Sequence, residues 1–154
     1  MNGAVALLDS NVVIASLAEE HEHHAASLAL LTASDPGIFA VTAHSFAEAY
    51  ATLTRRGDRA PFGFAATEAR AALESVRAVV ALIGLTPSQI FDTVCRYADL
   101  GGIGARLYDA LIGEAAVAHG IPAIVTWNTR QMAGLFPKLT VVTPARYLRV
   151  PRSL

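Results

Sequence analysis

Val5-Ala6-Leu7-Leu8-Asp9 and Ile121-Pro122-Ala123-Ile124-Val125-Thr126-Trp127-Asn128 decide the fold. Each is a short apolar run without polar alternation, closed by polar residues. Strands buried on both faces read this way, and they lie in parallel sheets covered by helices on either side. Ligands of open parallel sheets bind in the crevice beyond the carboxyl ends of the strands. Asp9 and Asn128 fall at that edge. Two further acids, Glu48 and Asp109, lie in alanine-rich helical patterns that can face the same crevice.

Working outward, residues 4–8 form the first strand, and Asn11 is placed to cap a helix over 12–18. A second helix spans 24–32, with Ala25, Leu28 and Leu31 on one face. Ser34-Asp35-Pro36-Gly37 is a turn, and 38–41 the second strand. Thr42 or Ser45 caps a helix carrying Phe46, Ala49, Tyr50 and Leu53, which ends at Arg55-Arg56-Gly57. After a loop over 58–63, an alanine-rich helix spans 65–80 and a third strand 82–86. Pro87 suits the first turn of the next helix, which holds Ser88 to Tyr97. Residues 99–104 are a flexible break before a helix over 105–119, with Gly120 as its C-cap. The fourth strand, a short helix over 129–135, a last strand over 139–142 and a tail from Pro144 complete the chain. The pattern predicts an α/β fold: a three-layer α/β/α sandwich with a mostly parallel central sheet, forming one domain over residues 1–154.

A chain of 154 residues buries roughly 70% of its unfolded surface and needs no disulfide to hold a core. Its 53% hydrophobic content and 16% charge describe a globule rather than a disordered chain. The single cysteine, Cys95, rules out an intrachain disulfide and is expected to pack as a small buried hydrophobe. No apolar stretch reaches the length of a membrane span, and no Lys or Arg precedes the first apolar run as in a signal peptide. A cytoplasmic location is expected. With 12 Lys+Arg against 13 Asp+Glu, bulk positive charge cannot drive non-specific nucleic-acid binding. The acids cluster early, at Glu19, Glu20 and Glu22, whereas Arg96, Arg106, Arg130, Lys138, Arg146, Arg149 and Arg152 lie late.

Asp9, Glu48, Asp109 and Asn128 form no local motif, so their chemistry depends on the fold gathering them. Two carboxylates about 4 Å apart repel by roughly 4 kcal/mol at an effective dielectric of 20. Three gathered acids therefore demand a proton or a cation. Carboxylate and amide oxygens are hard ligands suited to Mg²⁺, with Mn²⁺ as a substitute. Each residue also has an ordinary reading: a helix cap for Asp9, a solvated helix position for Glu48, a first-turn acid for Asp109, a turn residue for Asn128. Glu114 lies about 140° round the helix from Asp109 and is not expected to share its face. Asp99 reads as a turn acid. Gly101-Gly102-Ile103-Gly104 lacks the leading strand of a dinucleotide fingerprint and reads as a loop. His21, His23 and His24 stand among Glu19, Glu20 and Glu22 as a solvated charged edge rather than a zinc site.

The quartet, its order and its flanks resemble a PIN domain, the fold of VapC-type toxin ribonucleases. The matching pieces are Leu7-Leu8-Asp9-Ser10-Asn11, Ser45-Phe46-Ala47-Glu48, Asp109-Ala110-Leu111-Ile112 with Ala115 and Ala116, and Val125-Thr126-Trp127-Asn128. The resemblance implies a metal-dependent endoribonuclease in which Asp9, Glu48 and Asp109 hold Mg²⁺ or Mn²⁺, Asn128 assists, and water attacks an RNA phosphate to leave a 5′-phosphate and a 3′-hydroxyl. Asn128 departs from the aspartate form of that position, removing a charge and weakening the case for a second metal. Thr126 and Ser10 would support the acids through their hydroxyls, and Arg55, Arg56 and Arg130 are candidates for RNA backbone contacts. The resemblance further implies a VapB-type antitoxin partner, a toxin–antitoxin hetero-oligomer and a homodimer. Two rival readings remain: a non-catalytic PIN-like module that binds RNA or protein, and a Rossmann-like nucleotide-binding protein using the glycine-rich loop.

Overall fold

The computed structural model of the chain describes residues 3–150, so Arg152 lies outside the described residues. In chain order the elements are β1 (Ala6–Leu8), α1 (Ser10–Leu17), α2 (His24–Thr32), β2 (Phe39–Thr42), α3 (Ala43–Thr54), α4 (Ala66–Arg77), β3 (Ala81–Ile83), α5 (Pro87–Asp99), α6 (Arg106–Ala118), β4 (Ala123–Val125), α7 (Thr129–Leu135), β5 (Thr140–Val142) and α8 (Pro144–Arg149). The strands form a single five-stranded sheet in the order β3-β2-β1-β4-β5, parallel at every pairing. Leu7 stands in register with Ala40 on one side and Ile124 on the other, which places β1 at the centre.

The alternation of side chains along β1 builds both cores. Ala6 and Leu8 face Val12, Val13, Leu30, Phe39, Val41, Ala49 and Val76, a cluster drawn from α1, α2, α3 and α4. Leu7 points the other way, against Ile112, Ala115, Ala116, Ile121 and Met132 from α6, α7 and the approach to β4. Leu7 and Leu8 are fully buried, and burial of a leucine side chain stabilises by about 1.5–3 kcal/mol. A strand that buries both faces has no room for polar alternation, which is why its sequence reads as a continuous apolar run.

Local sequence sets the helix starts. Thr42 caps α3, its hydroxyl accepting from the Ser45 amide at 3.0 Å. Thr86 and Gln89 form a reciprocal capping box at the start of α5, with Pro87 in the first turn. Gly120 takes a positive φ of 65° where α6 gives way to β4. Gly113 allows α6 to meet the residue after α7: a Cβ there would come within 2.0 Å of the Phe136 ring.

Some sequence expectations need correction. β1, β3, β4 and β5 are shorter than the expected strands, with β3 starting one residue early at Ala81, and β2 keeps its length but is shifted by one residue to Phe39–Thr42. Asn11 does not cap α1; Asp9 holds the N-cap position, and Asn11 turns its amide toward β4. Pro144 opens the helix α8 rather than a tail, with Thr143 accepting from the Arg146 amide at 3.1 Å. Cys95 is exposed rather than packed, because α5 faces α6 through one narrow side on which only Thr93 is buried. The histidines are not a plain solvated edge either. His23 stacks on Trp127 with centroids 3.8 Å apart, His21 lies against Phe62, and the His24 Nδ1 is 2.8 Å from the Ala15 carbonyl.

Candidate active site

In a parallel sheet wound this way, every helix that follows a strand begins at the carboxyl edge, and every helix that leads into a strand begins there too. Asp9 follows β1 directly. Glu48 lies in the second turn of α3, after β2; Asp109 lies in the first turn of α6, before β4; Asn128 sits between β4 and α7. The topology alone thus brings the four predicted residues to one edge.

Asp9 is 3% exposed and is held by two hydroxyls. Thr126 Oγ1 donates to Asp9 Oδ2 at 2.7 Å, while accepting from Asn11 Nδ2 at 3.1 Å and from the Asn128 amide at 3.0 Å. That hydroxyl donates once and accepts twice, which saturates it. Asn11 Oδ1 in turn accepts from the Trp127 amide at 3.2 Å, tying α1 to the end of β4. On the other side, the Ser10 hydroxyl lies 2.8 Å from Glu48 Oε2 and 3.2 Å from Asp9 Oδ1. It has one proton to share between two carboxylates. Glu48 Oε1 faces His44 Nε2 at 2.6 Å, one helical turn back on α3, without hydrogen-bond alignment and with no other partner for either buried atom. The His44 ring stacks on Tyr108, the neighbour of Asp109, at a centroid distance of 5.0 Å. Rings from α3 and α6 therefore brace the two helices that carry Glu48 and Asp109.

Electrostatics follow from this geometry. Burial pushes the Asp9 carboxyl up; the Thr126 and Ser10 hydrogen bonds oppose that, and the Glu48 charge adds to it. The Asp109 carboxyl is pushed up to about 6, first by burial and then by the charges of Asp9 and Glu48, with Arg106 pulling it back. Burial and mutual repulsion both penalise the ionised forms, so this edge is poised to take up positive charge. Among the described residues no three His, Cys, Asp or Glu side chains stand close enough together to form a ready-made metal site. The donor set is oxygen from three carboxylates plus the exposed amide of Asn128. It fits a hard divalent ion that keeps several waters, and it does not fit a dehydrated structural cage.

The remaining candidates divide. Ser10 and Thr126 join the acids. Asn128 enters through its backbone amide, and its side chain makes no cap bond for α7. Glu114 pairs with Arg96 at 3.1 Å on another face of α6, and Asp99 lies exposed at the end of α5. Arg55 and Arg56 follow the far end of α3, about 10 Å along its axis from Glu48. Arg56 binds the carbonyls of Gly63 and Phe64 and so closes the loop after α3. Arg130 stays at the edge, in the first turn of α7. Sequence reasoning missed His44, although its spacing of four residues from Glu48 is a helical signal. It also missed the bridging role of Asn11, which nothing local in the sequence could reveal.

With the geometry in hand, comparison with known proteins places the chain. A family pattern described as PIN domain matches residues 6–133, most of the chain. The protein belongs to the PIN domain family. No curated protein matches it. Among solved structures it is similar to VapC20 of Mycobacterium tuberculosis, a sarcin–ricin-loop-cleaving toxin, with a TM-score of 0.66 and 16% identity over 84% of this chain and 94% of that one. It is also similar to a chain of a toxin–antitoxin complex from Klebsiella pneumoniae, with a TM-score of 0.61 and 21% identity over 90% of this chain and 97% of that one. PAE2754 from Pyrobaculum aerophilum gives a TM-score of 0.62 at 16% identity, over 96% of this chain and 95% of that one. At these identities the likeness defines the fold. Among the described residues no helix is long and apolar enough to cross a membrane.

Proposed function

We propose that this chain, as one PIN-like domain over residues 1–154, is a divalent-metal-dependent endoribonuclease and the toxin of a toxin–antitoxin pair. The observation that carries this reading is the linked set of acids: Asp9 and Glu48 share the Ser10 proton, and burial followed by their charges raises Asp109. Asp9, Glu48 and Asp109 would hold Mg²⁺, with Mn²⁺ as a substitute; Glu48 Oε1, 2.6 Å from His44 Nε2 but without an aligned hydrogen bond, keeps lone pairs for the ion. Bound there, the ion supplies charge neutralisation for a phosphodiester and activates water toward it. The chain supplies the rest. Thr126 fixes the rotation of Asp9, Ser10 keeps Asp9 and Glu48 facing each other, and His44 steadies Glu48 from behind. Asn128, exposed at the mouth, offers a neutral amide to the substrate side where an acid would repel phosphate. Family membership and the toxin–antitoxin assemblies among the structural neighbours support a VapB-type antitoxin partner; a homodimer within the toxin–antitoxin hetero-oligomer belongs to the same proposal. A cytoplasmic location goes with that role.

The test is cleavage of total cellular RNA by the purified chain, freed of any bound antitoxin, beside Asp9→Asn. Discrete fragments with 5′-phosphates that require Mg²⁺ or Mn²⁺ and vanish in the variant are expected. No cleavage from a folded sample under either metal would replace this reading with a non-catalytic binding module.

A further inference from the structure

The groove between the start of α6 and the length of α7 is lined by Arg106, Arg130, Gln131, Gly134 and Leu135 and encloses about 500 Å³. What sets its two guanidiniums apart is their place in one groove at the carboxyl edge, since four other described arginines have side-chain partners and, among the described residues, Arg55, Arg59, Arg146 and Arg149 have none. Arg70 pairs with Glu74 at 3.0 Å and Arg96 with Glu114 at 3.1 Å; Arg56 and Arg77 bind backbone carbonyls. Among the described residues, Arg106 and Arg130 make neither a salt bridge nor a hydrogen bond; the anion felt by Arg106 is Asp109, three residues along α6. Both arginines are exposed, and both occupy the first turn of a helix that begins at the carboxyl edge. Arg130 lies two residues beyond Asn128.

Packing fixes this juxtaposition. Gly113 lets the Phe136 ring, just after α7, pack directly on the α6 backbone, which draws the two helices together. A planar guanidinium binds phosphate through paired donors, and two lining one groove from different helices can engage a phosphate as a single charge does not. Because the chain is net negative by one charge, attraction for a polyanion has to be local.

We propose that Arg106 and Arg130 form a phosphate clamp for single-stranded RNA, holding a phosphate that flanks the scissile one and so setting the register of the strand over the acids. This inference rests on the nuclease reading of the neighbouring edge, but binding can be measured apart from cleavage. The experiment is fluorescence anisotropy of a 5′-fluorescein-labelled single-stranded RNA of mixed sequence, titrated with the full chain in chelator over a series of salt concentrations. Each phosphate contact on a single strand contributes about 0.7 to the slope of log affinity against log salt. The Arg106→Gln/Arg130→Gln pair is expected to reduce the slope by about 0.7, the loss of one phosphate contact, and the low-salt affinity by roughly tenfold or more. Arg106→Lys/Arg130→Lys should retain most of the slope, and Arg59→Gln/Arg149→Gln should leave it unchanged. An unchanged slope in the glutamine pair overturns the clamp, as does a native chain that binds no RNA. Loss of slope in a chain whose native form binds RNA yet never cleaves it upholds the clamp and sinks the nuclease reading instead. Cleavage with an unchanged slope does the reverse.

Discussion

Replacing Asp109 by asparagine should stabilise the metal-free protein, and the gain should depend on pH in a defined way. Asp109 sits in the first turn of α6, where its carboxyl is pushed from 3.8 to about 6 by burial and by the charges of Asp9 and Glu48. A group whose affinity for protons is raised by folding destabilises the fold once it ionises. Below pH 3.8 it is protonated in both states and imposes no penalty; the penalty grows as pH rises toward 6 and is constant above. The displacement is worth roughly 3 kcal/mol at about 1.4 kcal/mol per pKa unit. Partial exposure and salt screening leave about 1–2 kcal/mol. For a domain of this length each kcal/mol moves the melting midpoint by about 2–4 °C. Asp109→Asn in chelator should therefore melt about 2–8 °C above the native chain at pH 7–8, with the difference closing near pH 4. Differential scanning calorimetry across that range is the assay. Saturating Mg²⁺ should shrink or invert the difference, because the ion stabilises the native site more than the variant. A variant that melts at or below the native midpoint in chelator at pH 7–8 would refute the claim that unrelieved negative charge is concentrated here.

Other perturbations follow from single contacts. Thr126→Val removes a hydroxyl that serves Asp9, Asn11 and the Asn128 amide; urea unfolding should show a loss of about 1–3 kcal/mol, since buried partners are left unsatisfied. Gly113→Ala drives a methyl into the Phe136 ring and should destabilise by about 1–3 kcal/mol, with a midpoint shift and an unchanged m-value. His44→Ala takes away the ring that braces Tyr108 and backs Glu48. It should weaken Mn²⁺ affinity in a calorimetric titration by about tenfold, a typical loss for outer-shell partners of metal ligands; an unchanged affinity would limit His44 to packing.

Much of this site was legible because parallel α/β folding converts sequence position into spatial position. A polar residue closing an apolar run, as Asp9 does after Leu8, has to appear at the carboxyl edge. Asp109 and Glu48 were legible once the helices that carry them were placed, since each lies near the start of a helix. The hydroxyl contacts of Ser10 and Thr126 follow from adjacency to Asp9 and to the end of β4. What stayed hidden depends on pairings between distant residues. Asn11 looks like a cap in its local setting, and only the approach of β4 turns its amide to Thr126. His23 looks solvated until Trp127 arrives across the fold. Cys95 reads as buried in a helix rich in apolar residues, yet Ile90, Phe91 and Val94 on α5 are exposed as well. The α8 helix was masked by a proline that reads as a terminator but serves as a first-turn residue behind Thr143.

The most direct test of the account is a crystal soaked in Mn²⁺ and recorded for anomalous scattering. A peak among Asp9, Glu48 and Asp109, lost in Asp9→Asn crystals, is the predicted result. Well-ordered crystals with the ion elsewhere, or with no peak at that edge under saturating Mn²⁺, would contradict the central claim that these three acids form one metal-dependent centre.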